Sequence, residues 1–510
     1  MTLIEECRLK IQSTLDKEKD LKNKAERNLL GQFATPTDLA REVVTQGLMY
    51  AGNSKIKFLD PAFGTGSFYS ALINSCSSDL IVSAMGFEID EHYGVPAQSL
   101  WNNYALHLEI SDFTLKKPTK TSEKANFLIC NPPYVRHHHL DKETKERLCL
   151  SSESVFKVNT SALSGLYCHF IACAHKWMEE EALAGWLIPS EFMDVNYGKS
   201  LKHYLLNEVT LLNIHRYSPD EAKFDDALVS SAVVWFKNKK PKKGHTVNFS
   251  FGGTLAEPEC SKSVTIETLK NETKWTRFPL KDERKIIDSM KISDFFKIKR
   301  GLATGNNKFF IVSEADAKEK NIPKKFLRPI LPSPRYLIEK EIQSREDGAP
   351  NIDKVLYLID CTLPPHEVEE HYPSLWQYLQ HGVDLGVNEA YLCKNRTFWY
   401  KQEKRESAPF YCTYIGRDSS CSNKPFNFIL NHSEAIVTNS YLALEPLPHI
   451  RDLLSKHKDL RVKVWKALNS ICDEKMKEEG RVYGGGMHKM EPKELANVPA
   501  NELARLLNRT

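Results

Sequence analysis

The sequence predicts an α/β protein whose first half folds as a Rossmann-like sheet. Short apolar runs alternate with helical segments, which is the pattern of parallel strands joined by crossover helices. A glycine-containing turn follows the first run, and acidic or amide residues follow the next ones. Ligands of open α/β sheets bind beyond the carboxyl ends of the strands, so these polar residues form the candidate site.

The first predicted strand, residues 57–60, leads through a glycine loop into an apolar helix. Gly64 and Gly66 would let the backbone approach a ligand closely at the amino terminus of that helix. Tyr69 stands where the dinucleotide fingerprint needs its third glycine, and no Gly-Lys-Ser/Thr occurs in the loop. The loop is therefore neither a dinucleotide fingerprint nor a P-loop, and a plain turn is the alternative.

Acidic residues follow the second and third predicted strands. Glu88 ends the run 81–87 and is placed to hold ribose hydroxyls, with Asp90 as the competing candidate. Asp112 could accept a hydrogen bond from an adenine amino group, with Phe113 beside the ring. For each acid taken singly, a solvated turn residue is the alternative.

The fourth predicted strand, residues 126–130, ends in Asn131-Pro132-Pro133-Tyr134. This turn suits an exocyclic amino group, because the Asn131 side-chain oxygen and the Pro132 carbonyl can both accept from one NH2. Such bonds draw the nitrogen lone pair out of conjugation and make it nucleophilic. Tyr134 can stack on the ring that carries the amino group. A Pro-Pro turn that merely closes a strand is the alternative.

The order of glycine loop, ribose acid, adenine acid and Asn-Pro-Pro-Tyr resembles the S-adenosylmethionine-dependent DNA adenine-N6 methyltransferases of bacterial restriction-modification systems. It resembles their gamma class, the Taq-type enzymes, in which a methionine-binding segment comes first and target recognition comes last. Residues 30–37 stand in the position of that first segment. The resemblance implies a Rossmann-like S-adenosylmethionine-dependent methyltransferase domain and a C-terminal mixed α/β target-recognition domain.

The resemblance also implies the roles of individual residues. Thr35 would bind the cofactor carboxylate, on a turn before a helix that starts near Thr37, although a helix cap alone is the alternative. Phe224 would stack on the target base opposite Tyr134, in a loop that Asp225 and Asp226 make more acidic than expected. The predicted cofactor-binding residues are Thr35, Asp60, Ala62, Gly64, Gly66, Glu88, Asp112, Phe113 and Phe170.

Three domains are expected: an N-terminal helical segment over residues 1–29, the catalytic domain over 30–245 and the recognition domain over 246–510. Apolar residues at roughly helical spacing predict a helix in the first segment, which packs on the catalytic domain or forms a dimer contact. After residue 248 the chain is more irregular. Glycines flanked by basic and amide residues, as in 299–307, suit contacts with DNA. The predicted DNA-binding residues are Arg136, Lys299, Arg300, Thr304 and Asn306.

Composition agrees with a cytoplasmic protein, and the resemblance implies a bacterial one. The chain has 510 residues with 41% hydrophobic content and a net charge of +4, which leans toward anionic partners. Its 12 cysteines include no C-x-x-C pair, and no apolar run approaches a membrane span. Residues 137–139 are adjacent histidines, but methyl transfer from a sulfonium needs no metal, so none is expected.

The predicted function is methylation of adenine N6 in double-stranded DNA, after the base is flipped out of the helix. Such an enzyme would protect host DNA from a cognate restriction endonuclease carried on a separate protein. Length and layout are similar to the methyltransferases paired with PstI and BsuBI, which would imply the site CTGCAG. The alternatives are another planar NH2 (cytosine N4, an RNA base or a protein glutamine), an inactive DNA-binding module, or a fused restriction-modification enzyme.

Overall fold

The structure is a computed structural model that describes residues 2–30, 34–135, 140–218, 231–279, 290–417, 424–457, 459–483 and 487–507. The chain divides into two compact units, residues 1–282 and 283–510. Each unit has its own sheets and its own hydrophobic cores. Within the described residues, no helix is both long and apolar enough to cross a membrane.

The first unit alternates strands and helices along most of its length. Its strands are β1 (Ile56–Asp60), β2 (Ile81–Glu88), β3 (Leu106–Ile110), β4 (Ala125–Cys130), β5 (Met178–Pro189), β6 (Thr210–Arg216), β7 (Ser231–Lys237), β8 (Thr246–Gly253) and β9 (Pro258–Thr265). Its helices are α1 (Leu3–Leu30), α2 (Thr37–Ala51), α3 (Ser67–Ser75), α4 (Glu91–Trp101), α5 (Lys142–Phe156), α6 (Leu166–His175), α7 (Lys199–Asn207) and α8 (Ile266–Asn271).

The nine strands form one sheet in the order β3-β2-β1-β4-β5-β7-β6-β8-β9. Strands β1 to β5 pair in parallel, and β7 runs antiparallel between β5 and β6. The chain order reverses between β1 and β4, which is the switch point at which such sheets bind ligands. The predicted Rossmann-like sheet is therefore present, with the carboxyl ends of β1 to β4 at one edge.

The apolar runs of β1 and β4 are continuous because both faces of the sheet are covered. Alternate side chains of β4 enter two different cores: Phe127 and Ile129 pack on one face, and Leu128 and Cys130 on the other. Neighbouring β1 divides in the same way. Burial on both faces fixes the register of these strands and hence the position of the turns that follow them.

The first unit extends past residue 245, the predicted end of the catalytic domain. Strand β8 pairs in parallel with β6, and β9 pairs antiparallel with β8. Strand β9 is an edge strand with mostly exposed or half-buried side chains, so its sequence lacks the apolar run that marks the central strands. The unit boundary accordingly falls at residue 282 and not at 245.

The second unit is mixed α/β, as predicted. It contains β10 (Phe296–Arg300), β11 (Ile311–Ser313), β12 (Leu327–Ile330), β13 (Glu341–Ile342), β14 (Leu356–Ile359), β15 (Phe410–Thr413), β16 (Ile415–Arg417), β17 (Phe428–Asn431), β18 (Tyr441–Pro446), β19 (Arg481–Tyr483) and β20 (Met487–Lys489). Its helices are α9 (Asn307–Phe310), α10 (Glu314–Glu319), α11 (Pro365–His371), α12 (Pro373–Asp384), α13 (Tyr391–Lys394), α14 (Pro448–Lys456), α15 (Leu460–Asn469), α16 (Asp473–Glu479), α17 (Pro492–Asn497) and α18 (Asn501–Leu507).

The strands of the second unit form three small sheets. The five-stranded sheet has the order β10-β18-β15-β17-β13, and two three-stranded sheets have the orders β11-β14-β12 and β16-β20-β19. Most of these strands have only two to five residues and pair antiparallel. Strands this short carry little periodicity, which explains why the sequence of this half appears irregular.

Candidate active site

Four predicted site residues stand in a row along the carboxyl edge of the large sheet. Because the strand order is β3-β2-β1-β4, the residues that end or follow these strands are ordered Asp112, Glu88, Asp60 and Asn131. Three strand spacings separate the first from the last, a distance of about 14 Å. Asp112, the predicted adenine-binding acid, and Asn131, the predicted catalytic amide, therefore lie at opposite ends of this series.

The glycine loop between β1 and α3 adopts the backbone that only glycine takes readily. Gly64 has φ +56° and Gly66 has φ +90°, both in the left-handed region. A Cβ on Gly66 would lie 2.7 Å from Phe63 and Trp101, whereas one on Gly64 would meet no atom within 4 Å. Gly66 thus packs against the core, and Gly64 lies at the open side of the loop.

Glu88 and Asp60 hold the loops at the centre of the row. The Glu88 carboxylate accepts from the backbone N–H of Gly64 at 2.8 Å and from that of Asp90 at 2.9 Å. The Asp60 carboxylate accepts from the N–H of Ala62 at 3.1 Å. Burial, reinforced by the charge of Glu88, raises the pKa of Asp60 to about 8, and burial also raises the pKa of Glu88.

Asp112 and a group of aromatic rings form the β3 end of the row. Oδ1 of Asp112 accepts from both the N–H and the hydroxyl of Thr114, each at 2.8 Å. The ring of Phe113 lies 5.1 Å from that of Phe87 and 5.7 Å from that of Phe170 between centroids. A half-buried carboxylate beside aromatic rings provides an acceptor next to an apolar surface, which suits a heteroaromatic base with an amino group.

The Asn-Pro-Pro-Tyr turn lies at the β4 end of the row. Asn131 Nδ2 donates to Thr35 Oγ1 at 3.1 Å, which joins the turn to the segment preceding α2. The hydroxyl of Tyr134 donates to the Leu187 carbonyl at 3.1 Å. Burial raises the pKa of Tyr134, so its hydroxyl remains a donor and holds the ring in one orientation. Helix α2 begins at Thr37, as predicted.

One cavity of about 790 Å³ connects these elements. Of the predicted cofactor-binding residues, Gly66 alone does not line it. Asn131 and Pro133 line it at the β4 end, whereas Pro132 and Tyr134 do not. The predicted residues on the cavity wall are Thr35, Asp60, Ala62, Gly64, Glu88, Asp112, Phe113, Phe170 and Asn131.

The charges on the cavity wall are of one sign. The described residues that line it include six acidic side chains and no Lys, Arg or His; the acids are Asp16, Asp60, Glu88, Asp90, Glu91 and Asp112. Such a wall disfavours the phosphates of a nucleotide cofactor and favours a cationic ligand. S-adenosylmethionine, with its sulfonium and ammonium groups and its adenine, has the chemistry that these residues fit.

Two wall residues, Gln12 and Asp16, belong to α1 and were missed by the sequence analysis. With Arg8 they occur at intervals of four residues, which places all three on one face of the helix. That spacing was readable from the sequence. Nothing in the sequence, however, indicated that this face meets the glycine loop.

The predicted DNA-binding residues of the second unit occupy unlike positions. Lys299 Nζ pairs with Glu445 at 2.8 Å, and the exposed Arg300 guanidinium lies 4.1 Å from the centre of the Tyr414 ring. Thr304, however, is only 1% exposed and its hydroxyl donates to Asn307. Asn306 uses its side-chain oxygen to cap α9 through the N–H of Phe309, at 3.2 Å.

The four residues predicted to contact DNA therefore differ in exposure and in bonding, and their DNA contacts stay a prediction. Thr304 and Asn306 stabilise the loop between β10 and α9, while Lys299 and Arg300 keep side chains at the surface. Phe224, Arg136, the acidic pair at 225–226 and the histidines at 137–139 lie outside the described residues.

Two family models match the chain, one in each half. Residues 74–224 match the Eco57I restriction-modification methylase model, and residues 272–509 match the C-terminal domain of the Type II methyltransferase M.Eco57I. Both halves of the chain are therefore similar to Eco57I-type restriction-modification methyltransferases. This confirms the predicted bacterial restriction-modification methyltransferase, while the gamma class and the site CTGCAG stay predictions.

Two similar proteins match nearly the whole chain, and a third matches less than half of it. The Type II methyltransferase M.AccI of Acinetobacter calcoaceticus is 24% identical over 493 residues, which cover 92% of this chain and 85% of that protein. M.XamI of Xanthomonas campestris pv. amaranthicola is 25% identical over 484 residues, 93% and 86% of the two chains. M.BsuBI of Bacillus subtilis is 27% identical over 235 residues, which cover 42% of this chain and 44% of that protein.

Two solved structures share the fold. A cryo-EM structure of a DrdV–DNA complex superposes with a TM-score of 0.56 at 11% identity, over 92% of this chain and 56% of that chain. The Type IIL restriction-modification enzyme MmeI in complex with DNA gives a TM-score of 0.51 at 13% identity, over 85% and 65%. At these identities the likeness establishes architecture alone, in agreement with the predicted fold.

Proposed function

We propose that this chain is a site-specific DNA methyltransferase that transfers a methyl group from S-adenosylmethionine to N6 of an adenine in double-stranded DNA. The observation that carries the proposal is the row Asp112, Glu88, Asp60 and Asn131 along one acidic cavity. A cofactor lying along the row has its base at β3 and its reactive end at β4. The methyl group would then meet the Asn-Pro-Pro-Tyr turn, whose side chain and backbone can accept hydrogen bonds from an amino group.

The cofactor roles follow from the order of the residues. Asp112, Phe113 and Phe170 would hold the adenine, and Glu88 with the loop at Gly64 would hold the ribose. Asp60, Ala62 and Thr35 hold the amino-acid end, where an ionised Asp60 would balance the cationic charge. When bound, the cofactor supplies a sulfonium methyl group that N6 attacks directly, with loss of one N6 proton to water.

The Asn-Pro-Pro-Tyr turn prepares N6 for that attack. The bond from Asn131 Nδ2 to Thr35 fixes the plane of the amide, so that Oδ1 is positioned to accept from the target amino group together with the Pro132 carbonyl. Extracting the base from the duplex costs a few kcal/mol. Stacking on the Tyr134 ring would offset roughly 1–3 kcal/mol of this cost, and Phe224 would stack on the opposite face of the base.

Target recognition belongs to the second unit in this proposal, and catalysis to the first. The solved relatives of the same architecture, DrdV and MmeI, are complexes with DNA, which supports double-stranded DNA as the partner. Lys299 and Arg300 supply exposed cationic groups in the second unit. We further propose that the enzyme belongs to the gamma class. It would protect host DNA from a cognate restriction endonuclease carried on a separate protein.

The identity of the product tests this function. The purified full-length chain is incubated with isotope-labelled S-adenosylmethionine and genomic DNA from a host without DNA methyltransferases, and the digested nucleosides are analysed by mass spectrometry. We expect label in N6-methyladenine. Label in N4-methylcytosine would refute the target base, and label that enters only RNA or protein would refute DNA as the substrate.

Single-molecule sequencing of the same DNA locates the modified bases. A single recurring sequence is expected, and CTGCAG is the specific prediction. Modification scattered without a recurring sequence would refute site specificity.

A further inference from the structure

Helix α1 forms one wall of the cofactor cavity. Gln12 and Asp16 line the cavity together with residues of the glycine loop and of the turn after β2. Neither the sequence pattern nor the row of strand-end residues assigns α1 a function. The contacts that fix this helix show how its acidic side chain is held at the cavity.

Arg8 attaches α1 to the glycine loop and to the start of α2. Its guanidinium, 1% exposed, donates to Ser67 at 2.9 Å, to Thr65 at 3.3 Å and to Thr37 at 3.0 Å. Two further bonds of 2.9 and 2.5 Å join it to Glu5 on the same helix. Although burial by itself raises the pKa of Glu5, hydrogen bonds from Arg8, Ser70 and Thr37 lower it to about 2, so the pair stays ionised.

The next two turns of α1 also bond to the glycine loop and to α4. Gln12 accepts from the hydroxyl of Thr65 at 2.6 Å and donates to Asp16 at 2.9 Å. The hydroxyl of Tyr93, on α4, also donates to Asp16 at 3.0 Å. Both donors bind Oδ1 of Asp16, so the carboxylate is held between the glycine loop and α4, the two elements that border the centre of the cavity.

Asp16 therefore adds a fixed negative charge to a cavity wall without Lys, Arg or His among its described residues. S-adenosylmethionine carries a net charge of +1, whereas the product S-adenosylhomocysteine is neutral overall and otherwise nearly identical. A carboxylate on the wall stabilises the charged ligand more than the neutral one. We propose that Asp16 is a specificity-determining residue that favours S-adenosylmethionine over S-adenosylhomocysteine, so that the charged cofactor competes more effectively with the product for the cavity.

This inference rests on the proposed cofactor and is tested by equilibrium binding. Isothermal titration calorimetry on the full-length chain measures the Kd of each ligand, for the parent and for Asp16→Asn. The amide keeps the acceptor oxygen used by Gln12 and Tyr93 and removes only the charge. We expect the affinity for S-adenosylmethionine to fall about tenfold, and that for S-adenosylhomocysteine to stay within about twofold.

Two further variants separate charge from structure. Asp79→Asn removes an exposed acid at the opposite end of β2 and should leave both affinities unchanged. Asp16→Glu keeps the charge and should keep the parent ratio of the two affinities. It also provides a test if Asp16→Asn folds poorly. If a folded Asp16→Glu variant loses the preference for S-adenosylmethionine over S-adenosylhomocysteine, a role for charge is contradicted.

The ratio of affinities decides the inference. The inference is overturned if Asp16→Asn has the same ratio of the two ligand affinities as the parent. This holds both when neither affinity falls and when both fall equally. If the parent chain binds S-adenosylmethionine and methylates DNA, such a result leaves the proposed function intact. A parent chain that binds neither ligand would instead overturn the proposed function itself.

Discussion

The two units differ in whether their predicted functional residues lie together. In the first unit, residues as far apart in sequence as Thr35 and Phe170 line one cavity at one sheet edge. In the second unit, four residues predicted from one short segment divide into two kinds. Lys299 and Arg300 stay at the surface, while Thr304 and Asn306 bond within their own loop.

The difference has a topological cause. Parallel strands that cross over in the same direction bring all their carboxyl ends to one edge, so a polar residue after each strand is near the others whatever its sequence distance. No such rule applies to the turns of small antiparallel sheets. There, short polar side chains often satisfy nearby backbone groups, as Asn306 does.

The largest expected effect lies at the β4 end of the row. Asn131→Ala should leave the affinity for S-adenosylmethionine within a few-fold of the parent value, because the amide acts on N6 as the transition state forms. Methyl transfer should fall by about a hundredfold or more, as for the loss of one preorganised polar group. Single-turnover transfer of labelled methyl to DNA measures this.

Asn103→Ala provides the matched control. This exposed asparagine precedes β3, at the opposite edge of the sheet. Its variant should transfer methyl groups at the parent rate. A parent rate in Asn131→Ala as well would show that the edge where the residues converge is not where the chemistry occurs.

The second prediction concerns Asp60, whose pKa is raised to about 8 by burial and by the charge of Glu88. Between about pH 4 and pH 8 the unfolded chain ionises this residue and the unliganded folded chain does not. The free energy of unfolding should therefore fall as pH rises over this range, by up to about 5 kcal/mol. Asp60→Asn should remove this loss and stabilise the unliganded protein at pH 8 more than at pH 4.

Binding should respond to Asp60 in the opposite sense. A cationic cofactor favours the ionised carboxylate, so the affinity of the parent for S-adenosylmethionine should rise from pH 5 to pH 8 with release of a proton. Asp60→Asn should lower the affinity at pH 8 by about tenfold or more and lose the pH dependence. Calorimetry in buffers of different ionisation enthalpy counts the protons. A cofactor affinity in Asp60→Asn equal to that of the parent would exclude Asp60 from the site.

A smaller effect is expected at Thr35, which joins the segment before α2 to the Asn-Pro-Pro-Tyr turn. Thr35→Val removes the acceptor of Asn131 Nδ2 and keeps the shape of the side chain. We expect methyl transfer to fall by about fivefold to twentyfold, in line with the loss of one hydrogen bond. Thr35→Ser keeps the hydroxyl and should recover most of the activity. Equal losses in both variants would indicate that packing matters here and the hydrogen bond does not.

The smallest effects are expected in the second unit, where they test the division among its four residues. Arg300→Ala should weaken DNA binding several-fold and lower the dependence on salt by about one ion, as for one lost phosphate contact. Thr304→Val should cost about 1 kcal/mol of stability and leave DNA affinity unchanged. Fluorescence anisotropy at several salt concentrations measures the affinities for DNA. A weaker DNA affinity in folded Thr304→Val would indicate that this residue contacts DNA.

Much of the catalytic unit was predictable from local sequence. The runs at 57–60, 81–87 and 126–130 correspond to β1, β2 and β4, and the helix expected near Thr37 is α2. The runs of β1 and β4 are mostly apolar because both faces of the sheet are buried there, so most of their positions indicate a strand. Strands β8 and β9 lacked that signal, and the domain boundary was placed too early.

The sequence by itself determined which residue types follow each central strand, and through the parallel-sheet rule it determined that they meet at one edge. Only the tertiary structure decided which other elements border that edge. Helix α1 reaches the glycine loop through the bond from Arg8 to Thr65, and Asn131 bonds to Thr35 across 96 positions of sequence. Contacts of this kind depend on how the helices pack on the sheet. A helix face that binds ligand carries the same periodicity as one that binds solvent.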